Sequence, residues 1–123
     1  MVHEKRKLGN LGEELAIKYL RKHNYKILTL NWQKRIGEID IVAQDQDKTV
    51  VFVEVKTRKS ASFGPGQEAV NSLKQHKLIK TAQYYILENH KQEIPWRIDV
   101  VAVDLDSKKQ IGHIKHFKNA VGE

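Results

Sequence analysis

The sequence predicts an α/β domain in which a mixed central β-sheet of about five strands lies between helices. Two stretches, 7–23 and 67–90, repeat apolar residues at helical spacing, and five shorter runs have the β-branched or alternating character of strands. The order is helix, three strands, helix, two strands. A helix between the third and fourth strands suits a crossover, whereas the strands before it are close enough for hairpins. At 123 residues the chain can bury one core, so we expect one domain over 1–123.

The first predicted helix presents an apolar stripe and two adjacent acids that face different ways. The stripe recurs every three or four residues and consists of Leu8, Leu11, Leu15 and Tyr19. Glu14 shares its row with basic residues, which is typical of a solvent-exposed face. Glu13 shares its row with small and apolar residues, so we expect it to face the protein, where a carboxylate needs a partner such as a cation.

The second predicted helix and the strands complete the pattern. The helix is expected to bury Val70, Leu73, Leu78, Ala82, Tyr85 and Ile86. The predicted strands are 25–32, 36–44, 49–57, 96–103 and 110–117. A polar turn at 45–48 makes the second and third strands an antiparallel hairpin, and a polar loop with Ser, Gly and Pro follows at 57–66. Residues 118–123 are expected to form a loose tail.

The hairpin carries charged residues inside its strands instead of at their ends. Alternation in the first of its strands separates Ile39, Ile41 and Ala43 from Glu38, Asp40 and Val42. Alternation in the other separates Val51, Val53 and Val55 from Phe52, Glu54 and Lys56. Carboxylates gathered on one face suit a hard divalent cation such as Mg²⁺. The alternative is a solvated face with cross-strand salt bridges.

The metal-site hypothesis makes a demand on the hairpin register. Directly opposed residues of antiparallel strands point to the same face, so the numbers of paired residues must sum to an even value for Asp40 and Glu54 to share an ion. A regular two- or four-residue loop centred on 46–47 would place the two acids on opposite faces. We therefore predict an odd-length loop or a β-bulge.

The composition favours a polyanionic partner. Lys and Arg number 22 against 15 Asp and Glu, a net charge of +7, and such a surface attracts nucleic acid whatever its sequence. The chain has no cysteine, which excludes disulfides and thiolate metal sites. The histidines show no ligand spacing, and His113 and His116 are expected at the surface. The first residues are charged without an apolar segment behind them, so we expect no signal peptide or membrane span and a cytoplasmic location.

Several motifs together resemble a known protein family. They are Gly12-Glu13-x-x-Ala16, Gly37-Glu38-Ile39-Asp40, the run 51–58 and Lys74-x-x-Lys77-Leu78. The set resembles a widespread bacterial family of mostly uncharacterised proteins that is related to archaeal Holliday-junction resolvases. The spacing of Asp40, thirteen residues and Glu54-Val55-Lys56 is similar to the core motif of PD-(D/E)xK nucleases, with Ile39 where the motif's name has proline. This resemblance implies a restriction-endonuclease-like three-layer sandwich.

The resemblance also implies a chemistry. It implies a Mg²⁺- or Mn²⁺-dependent endodeoxyribonuclease that hydrolyses phosphodiester bonds, with branched or structured DNA as its substrate. The expected metal ligands are Asp40, Glu54, the backbone carbonyl of Val55, Glu13 and Glu38, the last of which is equally compatible with a structural role. Asp40, Glu54 and Glu13 also count as catalytic, and Lys56 would position or activate the attacking water. Since a resolvase cuts two strands symmetrically, a homodimer would follow.

Basic residues near these motifs are the expected DNA contacts. They are Arg58, Lys59, Lys74 and Lys77. The alternative function is a non-catalytic, basic nucleic-acid-binding module on the same fold. Such a module gains nothing from acids that face phosphates, so metal-dependent cleavage of DNA separates the two hypotheses.

Overall fold

Helices and strands follow one another in the predicted order. A computed structural model describes residues 4–59, 72–90, 93–106 and 111–121, and the side chains of these residues except those of 4–9, 59, 111 and 112. The elements are α1 (Glu4–Lys22), β1 (Lys26–Lys34), β2 (Gly37–Gln44), β3 (Val50–Lys59), α2 (Ser72–Asn89), β4 (Trp96–Leu105) and β5 (Ile111–Val121). The first residues of the predicted loop, 57–59, instead continue β3 and pair with β4. The rest of that loop, 60–66, and the predicted helical residues 67–71 lie outside the described residues.

The strands form one mixed sheet in the order β1-β2-β3-β4-β5. Neighbouring strands are antiparallel except β3 and β4, which are parallel. The parallel pair is the one between which α2 lies in the chain, which confirms the predicted crossover. One helix packs on each face of the sheet, so the predicted three-layer α/β sandwich is confirmed.

Each helix buries one side against its own core. On the α1 face, Ala16 and Leu20 are fully buried against β2, β3 and β4. On the other face, Leu78 and Tyr85 of α2 pack around Phe52. Leu73 is 79% exposed, so the predicted α2 stripe is wrong at this position. Leu73 lies five residues before Leu78, which rotates it about 140° from the buried row.

Among the described residues, no helix combines the length and apolar composition needed to cross a bilayer.

Alternation along β2 is interrupted near its first residues. Ile41 and Ala43 pack in the α1-side core, as alternation requires. Ile39 instead packs in the α2-side core together with Val42. The prediction that Ile39 shares a face with Ile41 is therefore wrong, and the reversal falls at Asp40, the residue between them.

The paired strand β1 is kinked at the same level. Asn31 lies between Leu30, which pairs with Ile41, and Trp32, which pairs with Ile39. Its φ angle is 50°, a left-handed conformation that asparagine adopts more readily than most residues. We attribute the reversal in β2 to this kink, because the two strands stay in register on both sides of it. Asp40 thus lies where the apolar side chains of β2 change from one face of the sheet to the other.

Close packing of α1 on β3 places the first helix beside the sheet. A Cβ atom at Gly12 would overlap the hydroxyl of Thr57. Glycine is therefore required where the helix crosses the strand. This approach carries the next residue, Glu13, towards the sheet.

A buried polar network lies on the α1 face of β4. Asp99 is fully buried and accepts hydrogen bonds from Arg97 Nε at 3.0 Å, from the Asn119 N–H at 2.8 Å and from His116 Nε2 at 2.7 Å. The other ring nitrogen of His116 lies 3.2 Å from the Tyr19 hydroxyl. The His116 side chain is 5% exposed, so the expectation of a surface histidine is wrong.

Hydrogen bonding decides the charge state of this network. Burial alone would raise the pKa of Asp99, but the bonds from His116, Arg97 and the Asn119 N–H outweigh it and hold the pKa below its ordinary value. Arg97 also donates to Asp45 Oδ2 at 3.2 Å. The network therefore joins β4, β5 and the β2–β3 connection through charge-assisted bonds.

The last strand continues beyond its predicted end because it bulges around Asp99. Ile98 pairs with Val121 and Val100 with Phe117, so residues 118–120 lie opposite Asp99 alone. Asn119 within the bulge has a φ of 51°. Val121 returns to the ladder and is 3% exposed. The prediction of a loose tail is wrong for 118–121, while 122–123 lie outside the described residues.

Candidate active site

The site forms where β2 and β3 approach the kink. These strands pair from Gln44 with Val50 to Ile41 with Val53, and the numbers of every pair sum to an even value. The connection 45–49 has five residues, so the prediction of an odd-length loop is confirmed. The same register continued by one residue brings Asp40 opposite Glu54.

The two acids are close enough to share a proton. Asp40 Oδ2 accepts a hydrogen bond from the Val55 N–H at 2.9 Å, which holds the carboxyl between the strands. Burial raises the pKa of Asp40 to about 7, and a hydrogen bond with Glu54 and repulsion by its charge act in the same direction. The Val55 N–H and Lys74 oppose this rise in pKa. Two carboxylates held together in this way repel each other when both are ionised, and a cation between them would relieve that repulsion.

Two lysines complete the cluster. Lys74 Nζ of α2 lies 3.3 Å from Glu54 Oε2, and the Glu54 side chain is only 10% exposed. Lys56 is half-buried on the same strand as Glu54. Burial lowers the pKa of Lys56, as does the neighbouring Lys74, whereas Glu54 and Asp40 act in the opposite direction. The cluster thus combines paired acids with ammonium groups in a partly desolvated place, an arrangement that often marks a functional site.

Helix α1 adds a third acid from the other side of the sheet. Glu13 is half-buried and Glu14 is exposed, which confirms the predicted difference between them. Burial raises the pKa of Glu13, and the charges of Asp40 and Glu38 raise it further. A hydrogen bond with Asn31 acts in the opposite direction. Glu13 is therefore an electrostatic neighbour of Asp40, as the sequence motif implied.

A pocket of about 270 Å³ opens over the cluster on the α2 side. Its lining residues are Glu38, Asp40, Glu54, Lys74, Lys77, Leu78 and Thr81. Glu38 and Lys77 are exposed at this pocket, so both stand where a ligand would enter. The structure thus brings five of the predicted site residues to one opening, whereas Glu13, Val55 and Lys56 are not among its lining residues.

Arg58 does not join this pocket. Its Nε lies 2.8 Å from Asp104 Oδ1 and its Nη2 lies 3.2 Å from Asp104 Oδ2, and its side chain is 12% exposed. A bidentate bond to a buried carboxylate thus holds the guanidinium against β4, and the DNA contact of Arg58 stays a prediction. Lys59 ends β3, and its side chain lies outside those described.

Asn31 is a site residue that the sequence predictions missed. Its left-handed backbone kinks β1 beside Asp40, and its side chain binds Glu13. The available signal was an asparagine inside an apolar strand, since asparagine is depleted in strands and enriched at left-handed positions. We infer that Asn31 positions both Glu13 and Asp40.

The donor atoms fit Mg²⁺ better than a metal that needs a complete protein cage. Within the described ranges, no three His, Cys, Asp or Glu side chains converge closely enough to hold an ion by themselves. Mg²⁺ keeps several waters and is commonly bound through one or two carboxylates together with substrate phosphate. The paired carboxyls of Asp40 and Glu54 are donors of this kind.

The raised pKa of Asp40 predicts an unusual pH dependence in the metal-free protein. A carboxyl whose pKa is higher in the folded state than in the unfolded state destabilises the fold increasingly as pH rises between the two values. In EDTA, the wild-type free energy of unfolding should therefore fall by roughly 1–3 kcal/mol between pH 4.5 and 8 relative to Asp40→Asn. Urea denaturation across this range measures the difference.

The matched control for this measurement is Glu14→Gln. Glu14 is exposed on α1, next in sequence to an acid of the cluster, so its removal should leave the pH profile of the wild type unchanged. If the free energy of unfolding varied with pH in the same way in wild type and Asp40→Asn, Asp40 would ionise normally and would not interact with Glu54.

Fold and side-chain cluster together define an α/β sandwich protein with an acid and lysine site at the kinked end of a central hairpin. The chain belongs to the uncharacterised protein family UPF0102, whose family model matches residues 12–103. This confirms the bacterial family to which the motifs pointed.

Relatives in this family match almost the whole chain. A UPF0102 protein of Caldicellulosiruptor bescii is 46% identical over 116 residues, which cover 94% of this chain and 97% of that protein. A UPF0102 protein of Alkaliphilus oremlandii is 47% identical over 117 residues, with the same coverages of 94% and 97%. A UPF0102 protein of Geobacter metallireducens is 46% identical over 113 residues, 92% of this chain and 90% of that protein.

Among solved structures, a repair endonuclease from Pyrococcus abyssi overlaps 89% of this chain and 41% of its own, with 16% identity and a TM-score of 0.41. The chain thus spans less than half of that protein. A TM-score of this size is too low for the overlap to establish a shared activity.

Proposed function

We propose that this protein is a Mg²⁺- or Mn²⁺-dependent endonuclease that hydrolyses DNA phosphodiester bonds, with branched or structured DNA as its substrate. The observation that carries the proposal is the hydrogen-bonded pair of Asp40 and Glu54 at a pocket open to solvent, with Lys56 near enough to interact with both charges. Two adjacent carboxylates repel each other when both are ionised. A cation that enters together with a phosphate would relieve this repulsion and bind both partners.

Each side chain has a proposed role. Asp40 and Glu54 would hold the ion, together with the Val55 carbonyl and, through water, Glu13. When bound, the ion supplies positive charge to the phosphate and makes a neighbouring water more acidic. Lys56 would orient the attacking water and stabilise charge that develops on the phosphate. Glu38, exposed at the pocket, would bind a second ion or shape the entrance.

DNA would approach over the α2 side of the pocket. Lys74 and Lys77 line this side, and the net charge of +7 favours a polyanion at any sequence. The preference for branched DNA rests on the motif resemblance to archaeal Holliday-junction resolvases. Two symmetric cuts require two sites, so we also propose a homodimer, which light scattering of the protein with and without junction DNA would test.

The test compares a four-way junction with a linear duplex that has the same arm sequence. With Mg²⁺ or Mn²⁺ at low and moderate salt, the wild type should cut the junction faster than the duplex, and EDTA should stop cleavage. Mg²⁺ should also stabilise the wild type by about 2–3 kcal/mol at a hundredfold excess over its Kd. Asp40→Asn should lose both effects while remaining folded.

The outcomes separate the proposed nuclease from a binding module. Junction binding without cleavage in either metal, together with an unchanged free energy of unfolding on Mg²⁺ addition, would favour the non-catalytic module. An equal Mg²⁺ effect in wild type and Asp40→Asn would mean that the ion binds somewhere else on the protein.

A further inference from the structure

Lys74 reaches into the acid cluster from the solvent side. Its side chain is 41% exposed, whereas that of its partner Glu54 is 10% exposed. The ammonium nitrogen lies 3.3 Å from Glu54 Oε2 and is near enough to Asp40 and Lys56 to influence the pKa of both. The buried half of this ion pair is thus fixed in the strand, and the exposed half sits on a long, flexible side chain.

We infer that Lys74 is an internal counter-cation for Glu54 that a divalent cation displaces. The inference rests on the proposed metal-dependent function and adds a competition that controls metal binding. An ammonium group and Mg²⁺ on the same carboxylate repel each other, and Mg²⁺ requires ligand oxygens at about 2.0–2.1 Å. Because Lys74 is the partner exposed to water, it is the group that moves away.

Once displaced from Glu54, the Lys74 side chain can contact a DNA phosphate. Lys74 and Lys77 line the same pocket wall, three residues apart on α2, where the phosphates of a bound strand would pass. Without metal, Lys74 is held by Glu54. With metal, it becomes available to a phosphate. Metal binding would therefore raise the affinity for DNA in the same state of the protein that can cleave it.

The test measures Mg²⁺ affinity in the absence of DNA, by isothermal titration calorimetry. Lys74→Met removes the competing charge and keeps the length of the side chain, so it should bind Mg²⁺ roughly fivefold more tightly than the wild type. Lys74→Arg keeps the charge and should stay near the wild-type affinity. Lys77→Met is the matched control, since it removes a charge from the same pocket, and its affinity should stay within about twofold.

An independent measurement follows the Lys74 side chain in the wild type. The NMR signals of the Lys74 Cε–Hε group, assigned by their loss in Lys74→Met, should move towards those of exposed lysines as Mg²⁺ is added. They should stay in place in Asp40→Asn. This readout does not depend on the Mg²⁺ affinity of any Lys74 variant.

A further arm uses DNA with Ca²⁺, which occupies oxygen sites, as the probe cation. Wild type should bind a duplex about threefold more tightly than Lys74→Met when Ca²⁺ is present, and this ratio should be smaller in EDTA, where Glu54 holds Lys74. If the wild type binds Mg²⁺ but Lys74→Met binds it no more tightly, the inference is overturned and the proposed function stands. If the wild type binds no divalent cation, both are overturned.

Discussion

Replacing Lys56 with alanine is expected to reduce Mg²⁺-dependent cleavage of DNA by at least about a hundredfold. The reason is that, in the proposed mechanism, the half-buried ammonium of Lys56 would stand beside the reacting phosphate and stabilise charge far more than one in water. Affinity for DNA should remain within a few-fold, because one phosphate contact among several is a small part of binding. Single-turnover cleavage and equilibrium binding in Ca²⁺ measure the two effects separately.

The control for Lys56 is Lys18→Ala, which removes an exposed lysine from α1. This variant lowers the net charge equally and should cut at the wild-type rate within about twofold. Full activity in Lys56→Ala would remove this residue from the mechanism, even if Asp40 proved essential. Loss of binding parallel to loss of cleavage would make Lys56 a phosphate contact instead of a catalytic group.

Replacing Asp99 with alanine is expected to destabilise the protein by about 3–5 kcal/mol. Asp99 is fully buried and accepts bonds from Arg97, His116 and the Asn119 N–H. Its removal would leave the Arg97 guanidinium without its more buried partner, and the bulge of β5 would lose the carboxylate that binds it. Urea denaturation at pH 7 measures the loss, and amide hydrogen exchange of β5 should increase first.

Asp45→Ala is the matched comparison, because Asp45 binds the same Arg97 but its side chain is 23% exposed. Its loss should cost about 1 kcal/mol or less.

The pKa of Asp99 is held low in the fold, so its stabilising effect is complete above the unfolded pKa and disappears as pH falls through the folded value. The difference between wild type and Asp99→Ala should therefore shrink below about pH 4. A constant difference down to pH 2 would show that packing, and not charge, stabilises the network.

Local pattern was enough to identify most of the fold and the centre of the candidate site. Strand alternation and helix spacing depend on neighbours within a few residues, so the order of elements followed from the sequence. The same local rule showed that Asp40 and Glu54 require an odd-length connection, and the register of β2 and β3 has one. Glu13 was separated from Glu14 by the residues in its own helical row.

The sequence predictions were wrong where the local structure depends on residues that are distant along the chain. Ile39 lies on the opposite face from Ile41, which we attribute to the left-handed Asn31 of the neighbouring strand, and no alternation within β2 indicates this. The first residues of the predicted tail are ordered because the bulge around Asp99 provides a partner for the Asn119 N–H. The pairing of Arg58 with Asp104 of β4 also joins two strands and could not be predicted from the residues around Arg58.

By itself, the sequence determined which acids and lysines could meet, since local periodicity governs the direction of side chains within each element. Only the tertiary structure decided which of them do meet and in what charge state. Lys74 lies on α2, yet it is bound to Glu54 of β3, and burial beside Glu54 raises the pKa of Asp40 to about 7. Desolvation and pairing between elements are properties of packing, so they cannot be read from the spacing of residues along one strand or helix.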